Sequence, residues 1–438
     1  MLQRSIFSGS RDKARLYFTI RERLRFVCQI CLIFFLPGCE IKTQDIPEWY
    51  CFHGPDRSNK SAEAGLLGEW PEEGPALLWT ITGLGKGYCT VSVAEGDLFT
   101  SGSDLRQTFV FAFDLDGNLI WKKPNGNSWE TDMSWARTYN GARSTPTFSE
   151  GIVYHLGELG RLTAFDAKKG DEVWSIELRE RFDAEIPEYG YSESVHIEGD
   201  RLYCCPAGKK AYMVCLDKYS GRQIWSNTEI PGNVGFSSLI IFDQGGYRQI
   251  AGLSSNSVFG VDSKTGRLLW QVDFENSRSN NVTDPIFHDG YVFASTGYGK
   301  GSILVRLDAA GDEITPEMVW QTELMDNHHG GVILHDKYLY GAGHNARGWF
   351  CLDFKTGRQM WNAGGKGSLT YADHMLYCLD ERGIMSLVRA TSEKHEVKSS
   401  FEVPDGGQGM HWAHPVVCGG RLYIRHQDKL FAYDIVDQ

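Results

Sequence analysis

An all-β fold, an eight-bladed β-propeller of four-stranded antiparallel blades, is predicted by three observations on the sequence. A motif ending in Trp recurs along the chain, short apolar hairpin segments precede each copy, and the first and last copies are incomplete in complementary ways. The copies read AFDLDGNLIW (112–121), AFDAKKGDEVW (164–174), CLDKYSGRQIW (215–225), GVDSKTGRLLW (260–270), RLDAAGDEITPEMVW (306–320) and CLDFKTGRQMW (351–361). Consecutive Trp residues from Trp121 to Trp361 lie 53, 51, 45, 50 and 41 positions apart, a period that suits one four-stranded blade per copy.

Each copy has a mechanical reading. Apolar residues such as those of Leu162–Phe165 make one strand, Asp and a following Gly make the turn, and a second strand ends in Trp. Upstream lies another hairpin: Thr145–Phe148 with Ile152–Leu156, Ser194–Ile197 with Arg201–Cys204, Asp284–Phe287 with Tyr291–Ala294, and Pro415–Cys418 with Arg421–Ile424. Such a sheet cannot bury both faces alone, so the blades stack radially with Trp79, Trp121, Trp174, Trp225, Trp270, Trp320 and Trp361 as wedges between them. A seventh copy, around Leu387 to Val397, lacks Asp and Trp; an eighth is cut short as AYD (432–434). Ala76-Leu77-Leu78-Trp79 has the end of a repeat and no beginning, so N- and C-terminal strands are expected to share one blade and leave no raw edge.

The chain divides into a signal peptide (1–38), an N-terminal linker or extension (39–75) and the propeller (76–438). Arg21, Arg23 and Arg25 precede an apolar run from Phe26 to Leu36, too short to span a bilayer and suited to a signal peptide. The run ends in Leu36-Pro37-Gly38-Cys39, which resembles a bacterial lipobox and makes Cys39 the expected lipidation site; an ordinary cleaved signal or an early start are the alternatives. Either way the mature protein is expected outside the cytoplasm, periplasmic or associated with the outer membrane and touching membrane only through a lipid anchor. Residues 1–38 carry seven Lys/Arg and two Asp/Glu, so the chain's net −12 leaves −17 for the rest. That acidic remainder argues against nucleic acid as a partner, since phosphate binding needs a basic face. Of the 11 Cys, eight follow residue 39 without metal-like spacing, and no metal is expected; Cys215 and Cys351 stand where other copies have Ala or Gly and are read as small buried residues.

The small-x-Asp-x-x-x-Gly-x-x-x-Trp pattern is similar to the pyrroloquinoline quinone (PQQ) type propeller repeat shared by quinoprotein alcohol dehydrogenases and BamB-like outer-membrane assembly lipoproteins, over roughly residues 76 to 438. FHGPDR (52–57), GARSTP (141–146), GYSES (190–194), NHHGGV (327–332), GKGSLTYAD (365–373) and WAHPVV (412–417) resemble a group of exported bacterial PQQ-like propellers. The resemblance implies the fold, while function must be argued from the site.

Innermost strands line a propeller's channel, and polar residues recur just before or within them: Arg143, Ser144, Glu193, Ser194, Ser237, Asn281, Asp284, His328, His329, Lys366, Ser368, His411 and His414. They read either as a funnel of donors and imidazoles for a ligand or as groups that satisfy the backbone around a wet channel. His411 and His414, three apart, would face opposite ways on a strand, and His328 and His329 do the same, which disfavours a shared metal. The enzymes of the resembling family hold PQQ with calcium, often beneath a ring of two adjacent Cys. Cys204-Cys205 is adjacent but falls in a second strand, away from the channel end, and no set with calcium-site spacing accompanies it. No cofactor is therefore expected, PQQ with Ca²⁺ being the exception to test. The insertion Lys122 to Asn140, with Trp129, Glu130 and Trp135, reads as a partner-binding lip or as a cap packed on the face.

The sequence thus points to an exported, monomeric, non-enzymatic propeller that binds a protein partner or small ligand at its channel face, with envelope or outer-membrane protein assembly as its setting. A PQQ-dependent alcohol dehydrogenase-like oxidoreductase is the alternative. A channel-face hydrolase or lyase using Glu193, Asp284 and His411 is the second.

Overall fold

A computed structural model describes residues 48–437, apart from 105 and 135. The apolar run 26–36, Cys39 and Trp135 lie outside the described residues. Among the described residues the strands form eight four-stranded antiparallel sheets, and helix is confined to one turn, Arg137–Tyr139, and the five-residue Leu178–Phe182. Blades 1 to 7 span 92–127, 147–177, 196–227, 240–273, 286–322, 332–364 and 367–402; blade 8 is 416–434 completed by Ala76–Ile81. Closure follows the expected pairing, with Ala76 opposite Asp434, Leu77 opposite Tyr433 and Trp79 opposite Ala432. Innermost strands begin one or two residues later than the sequence suggests, at Thr147, His196, Ile286 and Val416.

The motif explains itself at the blade boundary. Trp121 of blade 1 donates its indole N–H to the carbonyl of Ala167, the residue after Asp166 in blade 2. Asp166 Oδ1 accepts the amides of Lys168 and Lys169 and so fixes that turn. Gly170 ends the turn at φ 68°, and a Cβ there would lie 2.6 Å from the Trp121 ring. Trp79, Trp174, Trp225 and Trp320 likewise donate to Leu115, Lys218, Ser263 and Phe354, each directly after an Asp or its equivalent, and Trp361 reaches Thr391. Within its own sheet each Trp faces the residue before a β-bulge: Ala112, Ala164, Cys215, Gly260 and Cys351 leave room for the ring, and a bulge recurs there in every blade. Cys215 and Cys351 are fully buried, as their small-residue role requires.

Two boundaries depart from the pattern for visible reasons. In blade 5, Arg306 takes the register position of the turn Asp, and its third and fourth strands run on as the long hairpin Gly301–Ala310 and Glu313–Thr322. Asp308 therefore caps no turn and pairs with Arg306 at 2.9 Å, while Trp270 turns to Gln249 Oε1. In blade 7, Ser399 stands at the Trp position, and Trp70 from the N-terminal segment fills the gap. The Trp70 amide donates to Ser399 Oγ, and its ring packs on Tyr377 and Phe401.

The apolar core is accordingly divided into eight clusters, each between two neighbouring blades. Removing one wedge opens a cavity that flat sheets cannot close. Trp225→Ala is expected to lower stability by about 3 to 5 kcal/mol in urea unfolding. Gly266→Ala, whose Cβ would meet Trp225 at 2.5 Å, is expected to cost clearly more than Gly246→Ala, which shares the positive φ but faces open space. Equal costs for the two glycine variants would mean that the Trp contact carries no weight.

Candidate functional site

Residues 49–61 cross the axis of the ring. Trp49 bridges Val93 of blade 1, the Tyr50 carbonyl accepts Phe148 N of blade 2, and Asn59 and Ser61 bond to Tyr371 of blade 7. Arg57, buried, donates to the carbonyls of Ser194 and Val195. The segment expected as linker or extension thus plugs the channel with its own hydrogen bonds, and the remaining space is a cavity of about 230 Å³ at the face where innermost strands begin.

Phe52 and His53 lie at the base of this cavity. His414 Nε2 lies 2.7 Å from the His329 carbonyl and so must carry its proton, which leaves Nδ1 to accept from His53 Nε2 at 2.9 Å. His53 Nδ1 then faces Asp284 Oδ2 at 3.3 Å, an attraction only if a further proton lies between them. Asp284 Oδ1 accepts the Ser238 amide, while its Oδ2, buried, has no hydrogen-bond partner.

The walls are aromatic and imidazole-rich. Tyr139 sits 5.3 Å from Trp412 and 6.4 Å from Tyr189, which reaches Phe236 at 5.9 Å; Trp412 continues to Tyr88 and His329. His328 and His344 flank Tyr298 at 4.9 and 4.8 Å. Glu381 ties this side together, meeting Lys366 at 2.9 Å, His329 at 3.2 Å and the Trp412 indole N–H at 2.8 Å. Burial alone would raise Glu381, but His329 and Lys366 hold it down at about 2. Burial pushes His328 and His414 well below the ordinary imidazole range, and burial and Lys366 bring His344 to about 4. These rings are neutral hydrogen-bonding groups at neutral pH.

Of the residues expected at the channel, Arg143, Ser194, Asp284, His328, His329, Lys366 and His414 line the cavity. Ser144, Glu193, Ser237, Asn281, Ser368 and His411 do not. Ser237 Oγ accepts Leu253 N, Asn281 donates to the carbonyls of Ser254 and Phe274, and Ser368 donates to Ala413, which are tasks of backbone satisfaction. The Ser144 carbonyl accepts from Ser101 Oγ. His411 stacks on His426 at 3.6 Å. Those two rings and Asp405 could bring three ligand atoms within 4.8 Å, yet both His426 nitrogens already meet backbone, at Gly406 N and the Gly409 carbonyl. Cys204 and Cys205 are free, buried thiols away from the cavity, both pushed well up by burial. Trp129 of the 122–140 insertion is buried against Tyr189, with the Arg143 guanidinium over its ring at 5.2 Å.

The sequence reading missed Phe52, His53, Tyr88, Tyr139, Tyr189, Phe236, Tyr298, His344, Trp412 and Glu381. An available signal was an aromatic residue a few positions ahead of several innermost strands, as with Tyr88, Tyr189, Phe236 and Trp412.

Eight wedge-linked sheets closed by an N-terminal strand, with a cavity at one channel mouth, define a PQQ-type β-propeller. The sequence pattern of the family described as "Outer membrane protein assembly factor BamB" matches residues 106–363, and the chain belongs to that family. It is 25% identical over 164 residues to the quinohemoprotein alcohol dehydrogenase ADH IIB of Pseudomonas putida, which is 33% of this chain and 22% of that protein. It is 21% identical to BamB of Salmonella typhimurium over half of each chain, and 21% identical to BamB of Nitrosomonas eutropha over 69% of this chain and 68% of that protein. The chain thus spans about a fifth of the length of the first of these relatives and about half of the second. The BamB structure from Moraxella catarrhalis superposes with a TM-score of 0.56 at 14% identity, covering 83% of this chain and 98% of that one. The quinohemoprotein alcohol dehydrogenase of Comamonas testosteroni gives 0.59 at 13%, covering 89% and 81%. These likenesses show the fold.

The PQQ and calcium that the repeat implies do not fit the residues present. Calcium takes six to eight oxygen ligands. Among the described residues the cavity wall carries one carboxylate, Asp284, with one oxygen already taken by the Ser238 amide.

Beneath the wall, burial raises the Glu193 carboxyl to about 8, although its Oε2 accepts the Cys205 amide. The folded protein holds a proton that the unfolded chain, titrating near 4.5, releases. The stability this group contributes is full below about 4.5 and is lost as pH rises through about 8. Glu193→Gln, which keeps the acceptor and cannot ionise, is expected to raise Tm by a few degrees at about pH 9, with the gain closing toward pH 5. Parallel curves of Tm against pH for the two proteins would contradict the buried neutral carboxyl.

Proposed function

We propose that this chain is a binding propeller of the cell envelope, exported and held to membrane by lipid on Cys39, which presents its channel face to a protein loop or small ligand during envelope or outer-membrane protein assembly. The observation that carries this reading is the plug. With residues 49–61 seated in the channel, the cavity above them is a blind seat, which suits holding a group rather than passing it through. Membership of a family described by an assembly factor supports the setting. Among the described residues no helix is long and apolar enough to cross a membrane.

The quinoprotein alternative draws support from the dehydrogenase relatives, and the missing calcium ligands weigh against it. The purified protein mixed with PQQ and calcium is expected to show no bound-quinone absorbance and no dye-linked alcohol oxidation. A photo-crosslinking residue placed at Tyr189, on the cavity rim, is expected to capture a defined envelope component, and Trp412→Ala to reduce that capture several-fold. A quinone chromophore with alcohol turnover would replace the binding reading with the oxidoreductase.

A further inference from the structure

Resting on the reading of the channel mouth as a binding seat, we propose that the seat takes a small molecule with one six-membered ring and one carboxylate, the carboxylate on Arg143 and the ring among the aromatic walls. Size sets the first limit. A cavity of about 230 Å³ falls below the roughly 300–1,000 Å³ of sites that hold drug-sized ligands, which suits one substituted ring rather than an oligomer.

Charge sets the second. Lys366 is neutralised by Glu381 at 2.9 Å, and Asp284 faces His53. Among the described residues Arg143 has no carboxylate within ion-pair distance. Its guanidinium donates to the uncharged carbonyls of Gly141 and Tyr139 while its central carbon lies over the Trp129 ring. Glu158 acts on it from a distance, but its two oxygens are spent on Thr108 Oγ1 and Trp129 N. Of the two cationic side chains among the described residues that line the seat, Arg143 is therefore the one without a carboxylate partner. A guanidinium fork without a counter-ion is the natural partner of a carboxylate, which it can hold through two parallel bonds. An ammonium ligand would suit the aromatic walls but would meet Arg143 as a like charge.

Shape sets the third. Tyr139 meets Tyr189 in a T-shaped contact and Trp412 at a tilt, and all three line the seat with Arg143, so a ring anchored by its carboxylate has aromatic surface to lie against. Acidic sugars and aromatic acids share this chemistry, and the experiment separates them.

Isothermal titration of the full chain with glucuronate, benzoate, glucose and choline tests the assignment. One of the two acids is expected to saturate the protein, with glucose and choline at least ten-fold weaker. Arg143→Gln is expected to weaken the acid at least ten-fold and to erase its advantage over glucose. Trp412→Ala, on the same wall, is expected to weaken binding while keeping the preference for acid, so a fold defect and a lost anion partner are told apart. Equal affinity for glucose and glucuronate, preference for choline, or no heat with either acid up to about 10 mM would overturn the assignment. Capture of an envelope protein at Tyr189 in the absence of acid binding would sink this assignment and leave the binding reading standing.

Discussion

An indole, carried by the outer strand of every blade but the seventh, where Trp70 stands in, joins one sheet to the next, and the rest of the molecule depends on that joint. At joints such as those of Trp121 and Trp225 the ring spans the gap between blades, its N–H satisfies a carbonyl in the neighbouring turn, and a glycine in that turn makes room for it. Because the apolar clusters lie between blades rather than within them, no blade is stable by itself, and the ring has to close. A bulge beside each Trp twists the outer strand at the same place, so the repeat encodes a joint as much as a sheet.

The N-terminal segment does the work that the repeats leave undone. Ala76–Ile81 completes blade 8, Trp70 supplies the wedge that blade 7 lacks, and residues 49–61 occupy the channel. One stretch of chain therefore closes the ring, fills the boundary whose repeat lacks its Trp and lines the cavity. The hydrogen bond from His53 to His414 ties the plug to the loop that leads into blade 8.

The fold was legible because a propeller repeats its instructions. Small residue, Asp, Gly and Trp each have one mechanical duty, and six readable copies gave the period, the hairpins and the shared last blade. Asp308 misled only in detail, since a longer hairpin moved it past the turn position. The site was half legible. Polar residues ahead of innermost strands could be named, but the backbone needs such groups at the same places, and no periodicity separates Ser237, which bonds Leu253, from Ser194, which faces the cavity. His53 and Phe52 were out of reach because they enter from a segment with no repeat, and their partners lie more than 200 residues away.

Hydrogen exchange of the tryptophan indoles, read by NMR on protein labelled at the indole nitrogen, tests the joint itself. If the wedges hold the ring together, the indole protons of Trp79, Trp121, Trp174, Trp225, Trp320 and Trp361 exchange slowly and with one common free energy, that of opening the whole molecule. If they exchange fast, or blade by blade with separate energies, the blades are held by something other than the indole joints, and the wedges are not what keeps the ring closed.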